Sequence, residues 1–277
     1  MKYTVLTDNL AGRTLDGEHG LSIYIEYRGK RILLDMGMTG LFAVNAAALG
    51  IDLGRVDFAV LSHAHYDHSG GMAKFFLINE NAPLYLRPTA LEPCYHRKTI
   101  LPINIGIRET ESGLHEPPQK RFAARFAFVE DKTSVSEGVW LLPHTTPALY
   151  LVGYREQMLR RMGSLLLFDD FSHEQTLVFE TEKGLVLFNS CCHAGADVVI
   201  KEAAAAFPDK KIYALVGGFH LSHHTDKEIL TLAAELDALG TEHIVTGHCT
   251  GERAFELLRD RLGSRVTQMR TGFSEEI

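Results

Sequence analysis

The run His63-Ala64-His65-Tyr66-Asp67-His68 constrains this 277-residue chain more than any other feature. Three imidazoles and one carboxylate fall within six residues, directly after the apolar stretch Val56 to Ser62, which reads as a buried strand. Side chains alternate faces along a strand, so His63 and His65 share a side at period two, while Asp67 and His68 come from the following turn. Imidazole and carboxylate ligands suit zinc, iron or manganese. A lone buried histidine is more often a satisfied core residue than a ligand. The spacing H-x-H-x-D-H, followed by Gly70-Gly71, is a metal-binding pattern instead.

The remainder of the chain supplies further strand ends. Tyr3 to Leu6, Leu21 to Tyr27 and Arg31 to Leu34 read as strands of a meander that turns at Gly29-Lys30. Leu41 to Leu49 reads as a helix ending at Gly50. Another helix follows Gly70-Gly71 to about Ile78, and Pro83 to Leu86 is a short strand. The second half repeats this grammar. Strands are predicted at Val139 to Leu142, Thr176 to Glu180, Leu185 to Asn189, Ile212 to Val216 and His243 to Thr246; helices at Asp197 to Ala206, Asp226 to Leu239 and Gly251 to Leu262. Two halves of this kind predict an α/β chain in four layers, two sheets packed together with helices outside. The chain reads as one domain over 1–277. A Pro-rich insertion or lid is expected at about 88–135, where five of the nine prolines lie.

Composition removes several classes. A 45% hydrophobic content excludes disorder. Lys and Arg number 28 against 35 Asp and Glu, with no basic run, so no nucleic-acid partner is expected. No stretch approaches the length of a membrane span and no signal-peptide pattern opens the chain, so no membrane partner is expected. The cysteines, 94, 191, 192 and 249, do not resemble a disulfide framework, and a reducing cytoplasm is the simplest setting.

HAHYDH resembles the metal-binding motif of the metallo-β-lactamase superfamily. Asp8-Asn9, Glu18-His19-Gly20-Leu21-Ser22, Leu33-Leu34-Asp35-Met36-Gly37, Cys191-Cys192-His193-Ala194-Gly195, Gly217-Gly218-Phe219-His220-Leu221 and Gly247-His248-Cys249-Thr250-Gly251 are similar to motifs of one branch. That branch is named for 7,8-dihydropterin-6-methyl-4-(β-D-ribofuranosyl)aminobenzene-5'-phosphate synthase. The chain departs from it at Asn189-Ser190, where Thr-Gly is usual, and at His173, where an acidic residue is usual.

The resemblance implies an αββα sandwich with metal ions at the edge of the two sheets. It implies His63, His65 and His193 on one metal, and Asp67, His68 and His248 on a second. Cys191 stands where the superfamily has a bridging Asp or a ligand Cys, and reads equally as a ligand or a small buried residue. His173 competes with His193. Zinc is the first expectation for the two divalent ions, with manganese or iron as alternatives. Strand C-termini in α/β sheets gather sites at one edge, so His63, His193 and His248 can meet. Asp35 is expected to support a ligand from behind. His220 reads as a phosphate contact, a proton donor or a core residue. His96, His115, His144, His223, His224 and His243 read as surface residues.

The expected chemistry is hydrolysis of an ester or phosphoester-type, phosphorylated small molecule by a metal-activated water, with Asp67 orienting the nucleophile and His220 assisting. Arg87, Arg97, Lys98 and Arg108 are candidate phosphate contacts against a solvated-surface alternative, as are the N–H groups of the helix after Thr250-Gly251. Phe122, Phe126 and Phe128 cover either the core or a planar substrate. Condensation by the synthase reaction is the alternative, and a di-iron redox protein a further one. The oligomeric state is left open.

Overall fold

The computed structural model describes residues 1–98, 101–107 and 118–277. In the first half run β1 (Lys2–Thr7), β2 (Ser22–Tyr27), β3 (Lys30–Leu34), β4 (Phe58–Val60), β5 (Leu84–Leu86), β6 (Cys94–His96), β7 (Ile103–Asn104) and β8 (Phe126–Phe128), with helices α1 (Leu41–Ala48), α2 (Tyr66–Ser69), α3 (Met72–Ile78) and α4 (Pro118–Arg121). The second half has β9 (Thr133–Ser136), β10 (Val139–Pro143), β11 (Met158–Met162), β12 (Leu165–Phe168), β13 (Gln175–Thr181), β14 (Gly184–Phe188), β15 (Ile212–Gly217), β16 (His243–Thr246), β17 (Val266–Gln268) and β18 (Ser274–Glu276). Its helices are α5 (Tyr150–Glu156), α6 (Ala196–Ala206), α7 (Asp226–Ala238) and α8 (Glu252–Leu262).

One sheet has the order β18-β1-β2-β3-β4-β5-β8 and the other β17-β16-β15-β14-β13-β10-β9. In each, an antiparallel meander passes into parallel strands, at β3/β4 in one and at β14/β15 in the other. This is the repeated grammar seen in the sequence. The β2–β3 hairpin turns through Arg28 and Gly29, both with positive φ, the geometry that matches strand twist in a two-residue turn.

Both faces of each sheet are covered. Between the sheets lie Tyr3, Ile23, Ile25, Leu141, Leu177, Phe179 and Phe188, with the Phe188 ring edge-on to Tyr3 at 5.3 Å and to Phe179 at 5.6 Å. Outside one sheet Phe42, Phe75 and Phe76 of α1 and α3 pack on Leu33 and Leu84. Outside the other, Ile200, Leu236 and Leu258 of α6, α7 and α8 pack on Leu187 and Leu215. The four αββα layers are those expected. Strands buried on both faces need near-continuous apolar runs, which is why LVLFN and VDFAVLS stand out in the sequence.

The segment 88–135 is divided among the layers. β8 extends the first sheet and β9 opens the second, while β6 and β7 join β11 and β12 in a separate four-stranded sheet. Phe122 and Phe126 pack on the α3 side of the core, and Phe128 is exposed. No element is expected from the sequence between 143 and 175, where α5, β11 and β12 lie. β11 carries two arginines at its centre, so no apolar run announces it. Among the described residues, no helix is long and apolar enough to cross a membrane.

Phe188→Ala removes the ring that both sheets share and should destabilise the fold by about 3–5 kcal/mol. Urea unfolding of the variant against the native chain measures this; a loss under about 1 kcal/mol would contradict the assigned core position.

Candidate metal centre

The parallel strands end at one edge of the sandwich. Beyond β3 comes Asp35, beyond β4 the run 61–68, beyond β14 Cys191 and His193, beyond β15 His220, and beyond β16 His248. Asp35, Cys192, His220 and His248 all have positive φ, as does nearby Phe171. Non-glycine residues pay for that conformation, and such strain concentrates at sites whose side chains must be aimed.

Asp35 is fully buried and sets the orientation of two histidines. Its carboxylate accepts the Ser62 N–H at 2.7 Å, the Ser62 hydroxyl at 2.6 Å and His68 Nδ1–H at 2.8 Å. With its proton given to Asp35, Ser62 Oγ is left to accept Nδ1–H of His63 at 2.8 Å. His248 Nδ1 donates to Asn9 Oδ1 at 2.9 Å, and the same oxygen accepts the Gly20 N–H. Each of these imidazoles therefore carries its proton on Nδ1 and turns an Nε2 lone pair inward.

Those lone pairs face one another. Nε2 of His68 lies 3.1 Å from Nε2 of His248, 3.2 Å from Cys191 Sγ and 3.6 Å from Asp67 Oδ2. Nε2 of His248 is 3.4 Å from Asp67 Oδ2. On the other side, His63 Nε2 is 3.3 Å from His193 Nε2. The His65 ring centre is 4.6 Å from that of His63 and 4.7 Å from that of His193, and its buried Nε2 has no partner. Among the described residues, two ligand-type sets share Cys191, His63/Cys191/His193 and His68/Cys191/His248, each with donor atoms within 4.8 Å of one another; a further buried set, His65/Cys94/Asp169/His173, adjoins them. Buried lone pairs pointed at lone pairs repel unless a cation lies between them.

The local charges divide the site: burial lowers His248, but Cys249, Asp67 and Asp8 outweigh it and raise it to about 9, whereas the side of His63 and His193 shifts downward. Burial, together with neighbouring imidazoles, pushes His63 and His193 well below the ordinary histidine range and His65 down to about 3. They stand neutral, as metal ligation requires. Burial raises Asp67, but His68 and His248 outweigh it and hold its carboxylate well below the usual range.

His173 is turned away from this cluster. Its Nε2 lies 3.1 Å from Asp169 Oδ2 and its Nδ1 accepts the Ala64 N–H at 3.3 Å, so protein partners take both nitrogens. His193 is held from behind: its N–H donates to Glu174 Oε1 at 3.2 Å, and the other Glu174 oxygen is 2.6 Å from His144 Nε2. His144 Nδ1 in turn meets Glu202 of α6 at 2.7 Å. His144 is thus buried, contrary to the surface position expected from the sequence. Burial lowers its pKa, but the hydrogen bonds to Glu174 and Glu202 outweigh that and raise it to about 9.

The centre opens into a cleft of about 460 Å³ lined by Asn9, His19, His96, Lys98, His220, His223 and Cys249 among others. His96 and His223 were expected as plain surface residues; the folded chain puts both on the cleft wall. A second cavity of about 540 Å³, with apolar walls at Val152, Phe219, Leu221 and Leu232, meets the cleft at His193 and His220. Buried Nδ1 of His220 has no partner.

The four proposed phosphate contacts separate. Lys98 lines the cleft, and Arg97 lines a smaller adjoining cavity. Arg87 is a correction: its guanidinium is bound by the carbonyls of Ser172, Val129 and Glu130, so it ties loops together and does not line the cleft. Arg108 and His115 lie outside the described residues. His224 lies beside Glu156 and His243 beside Glu275. Asn9, His19 and Cys249 received no role from the sequence. His19 stacks on His248 and places Nε2 3.6 Å from Asp67. Only their place within family-like motifs marked them, because a loop residue's partners are set by the fold.

The comparisons agree with this architecture. The profile of the metallo-beta-lactamase superfamily matches residues 15–150. A 7,8-dihydropterin-6-methyl-4-(beta-D-ribofuranosyl)-aminobenzene-5'-phosphate synthase of Methanocaldococcus jannaschii is 26% identical, over 98% of this chain and 95% of its own. A solved metal-dependent hydrolase of the beta-lactamase superfamily is 28% identical and superposes with a TM-score of 0.82, covering 100% of this chain and 99% of its own. Human tRNase Z, short form, shares the fold at 12% identity and a TM-score of 0.56, over 100% of this chain and 99% of its own. Residues 15–150 match the metallo-β-lactamase superfamily, and the chain is similar over nearly its whole length to enzymes of that class.

The His144 network generates a pH signature. A histidine whose folded pKa is about 9, above its ordinary 6.5, adds stability in full below the ordinary value and loses it as pH rises through about 9. His144→Gln should therefore narrow its stability deficit against the native chain between about pH 7 and pH 10, read by urea unfolding at each. A constant deficit would show that His144 is not charged in the folded protein.

Proposed function

We propose that this chain is a dinuclear metal-dependent hydrolase of a phosphorylated small molecule. The observation that carries the reading is the convergence of buried Nε2 lone pairs whose Nδ1 protons are already committed to Asp35, Ser62 and Asn9. The donor set fits two ions. His63, His65 and His193 would hold one, Asp67, His68 and His248 the other, with Cys191 between them. Nitrogen and carboxylate ligands with one thiolate favour zinc, with manganese or iron as alternatives. When bound, such a pair polarises an ester or phosphoryl oxygen and makes water a competent nucleophile near neutral pH.

The protein's own groups then do the rest. The partly exposed Asp67 carboxylate reaches the cleft and orients the attacking water. His220, beside His193 with Nδ1 unpartnered, is placed to donate a proton to the leaving group. Lys98, His96, His223 and His19 give the cleft cationic and hydrogen-bonding walls that suit a phosphate. The occupant is a small molecule; a cleft of this volume in a net acidic chain favours neither nucleic acid nor membrane.

A second reading is favoured by one feature. The second cavity, where Val152, Phe219 and Leu232 stand beside Arg155, Asp197 and Lys227, meets the cleft at His193 and His220, an arrangement that suits two substrates better than one substrate and water. The similar archaeal protein is named as a synthase. Condensation, with a phosphorylated leaving group departing from the metal side, is that alternative. Metal-loaded protein given a pterin pyrophosphate and an arylamine should leave both unjoined while turning over phosphoesters; a condensed product would decide for the synthase.

Asp67→Ala should abolish turnover of any identified substrate, and an unchanged kcat would remove Asp67 from the site. Asp35→Asn replaces an acceptor of three hydrogen bonds and should weaken metal affinity by about 10–100-fold. Competition against a chromogenic chelator measures this, and native affinity in the variant would deny Asp35 its orienting role.

A further inference from the structure

Four cysteines occur in the chain, and all are free. Two of them face each other. Cys191 Sγ and Cys249 Sγ stand 3.4 Å apart, at the ends of β14 and β16. The other two are turned elsewhere. Cys192 points to the Asn189 carbonyl and packs in the outer core, and Cys94 lies against the Glu92 carbonyl. The place of the Cys249 sulfur is built: a Cβ on Gly218 would stand 2.4 Å from it, so the Gly217-Gly218 turn exists where that sulfur must fit. No step of the proposed hydrolysis uses Cys249.

We propose that Cys191 and Cys249 are an oxidisable pair, closed to a disulfide by a peroxide, and that closure takes Cys191 out of the metal cluster. The second half of this statement rests on the ligand assignment above; the first half does not. Bonded sulfurs stand about 2.05 Å apart, so the pair needs to close by little more than an ångström. Cys249 is the residue peroxide meets first. Both sulfurs lie at the cleft, but Cys249 is half-buried where Cys191 is buried, and the backbone N–H of His220 donates to the Cys249 sulfur at 3.2 Å.

The chemistry balances. The Cys249 thiolate attacks one peroxide oxygen; the O–O bond breaks, leaving a sulfenic acid and a hydroxide that takes up a proton as water. The Cys191 sulfur then displaces hydroxide from the Cys249 sulfur, forming the S–S bond and breaking the S–O bond, and a second water leaves. The two sulfurs lose two electrons and the peroxide gains them. Because Cys191 belongs to both ligand-type sets, its withdrawal weakens both.

The test uses the intact protein, metal-loaded and chelator-stripped, treated with hydrogen peroxide and then alkylated. The stripped protein should form a link between the tryptic peptides spanning 184–201 and 228–253, reversible by dithiothreitol. The metal-loaded protein should form it more slowly, and release its metal as it forms. Cys249→Ser should abolish the link and Cys192→Ser should leave it, since both cysteines lie on the first peptide. No link in native stripped protein, or a link lost in Cys192→Ser, overturns the pair while leaving the metal assignment standing. A link that forms without metal release keeps the pair and overturns the role of Cys191 as a ligand.

Discussion

The metal centre depends on one buried carboxylate. Asp35 ends β3, takes three hydrogen bonds from the loop that follows β4, and so binds the two strand ends together while it sets the tautomers of His63 and His68. A charged group in so dry a place is costly unless every lone pair is used. Here the donors are a backbone N–H, a hydroxyl and an imidazole, and the last two pass the constraint inward. The strained φ of +57° at Asp35 belongs to the same device, because it turns the carboxylate toward the loop.

The second sheet answers with supports of its own. Glu174 holds the His193 backbone and is itself held by His144 and Glu202, so the ligand-bearing loop after β14 is fixed to α6. Asn9 does the same for His248 from the loop after β1. His68 and His248 thus have outward anchors on other elements, and the His193 backbone has one in Glu174. Rigid sheets carry the strand ends, strained turns aim the side chains, and hydrogen bonds decide which nitrogen faces the middle. The product is a pocket of converging imidazole nitrogens, a carboxylate and a thiol, a donor set that suits a metal ion.

Much of this was legible in the sequence, for physical reasons. HAHYDH follows a strand whose two buried faces force an unbroken apolar run, so both strand and motif are local signals. The αββα layers followed from the repeat of strands and helices in the two halves. Other parts were not legible because they are long-range. His144 looked like a surface histidine until Glu174 and Glu202 enclosed it. Arg87 looked like a phosphate contact until three backbone carbonyls took its donors. His173 is taken up by Asp169, four residues before it, a pairing that its own spacing does not announce. β11 hides behind Arg160 and Arg161, whose charges interrupt the run.

The most direct test of the central claim is elemental analysis of protein purified without added metal or chelator, repeated after reconstitution. The proposed ligand assignment predicts about two zinc, manganese or iron ions per chain, with the content falling in His248→Ala and His193→Ala variants. A reconstituted protein that holds no metal would contradict the account.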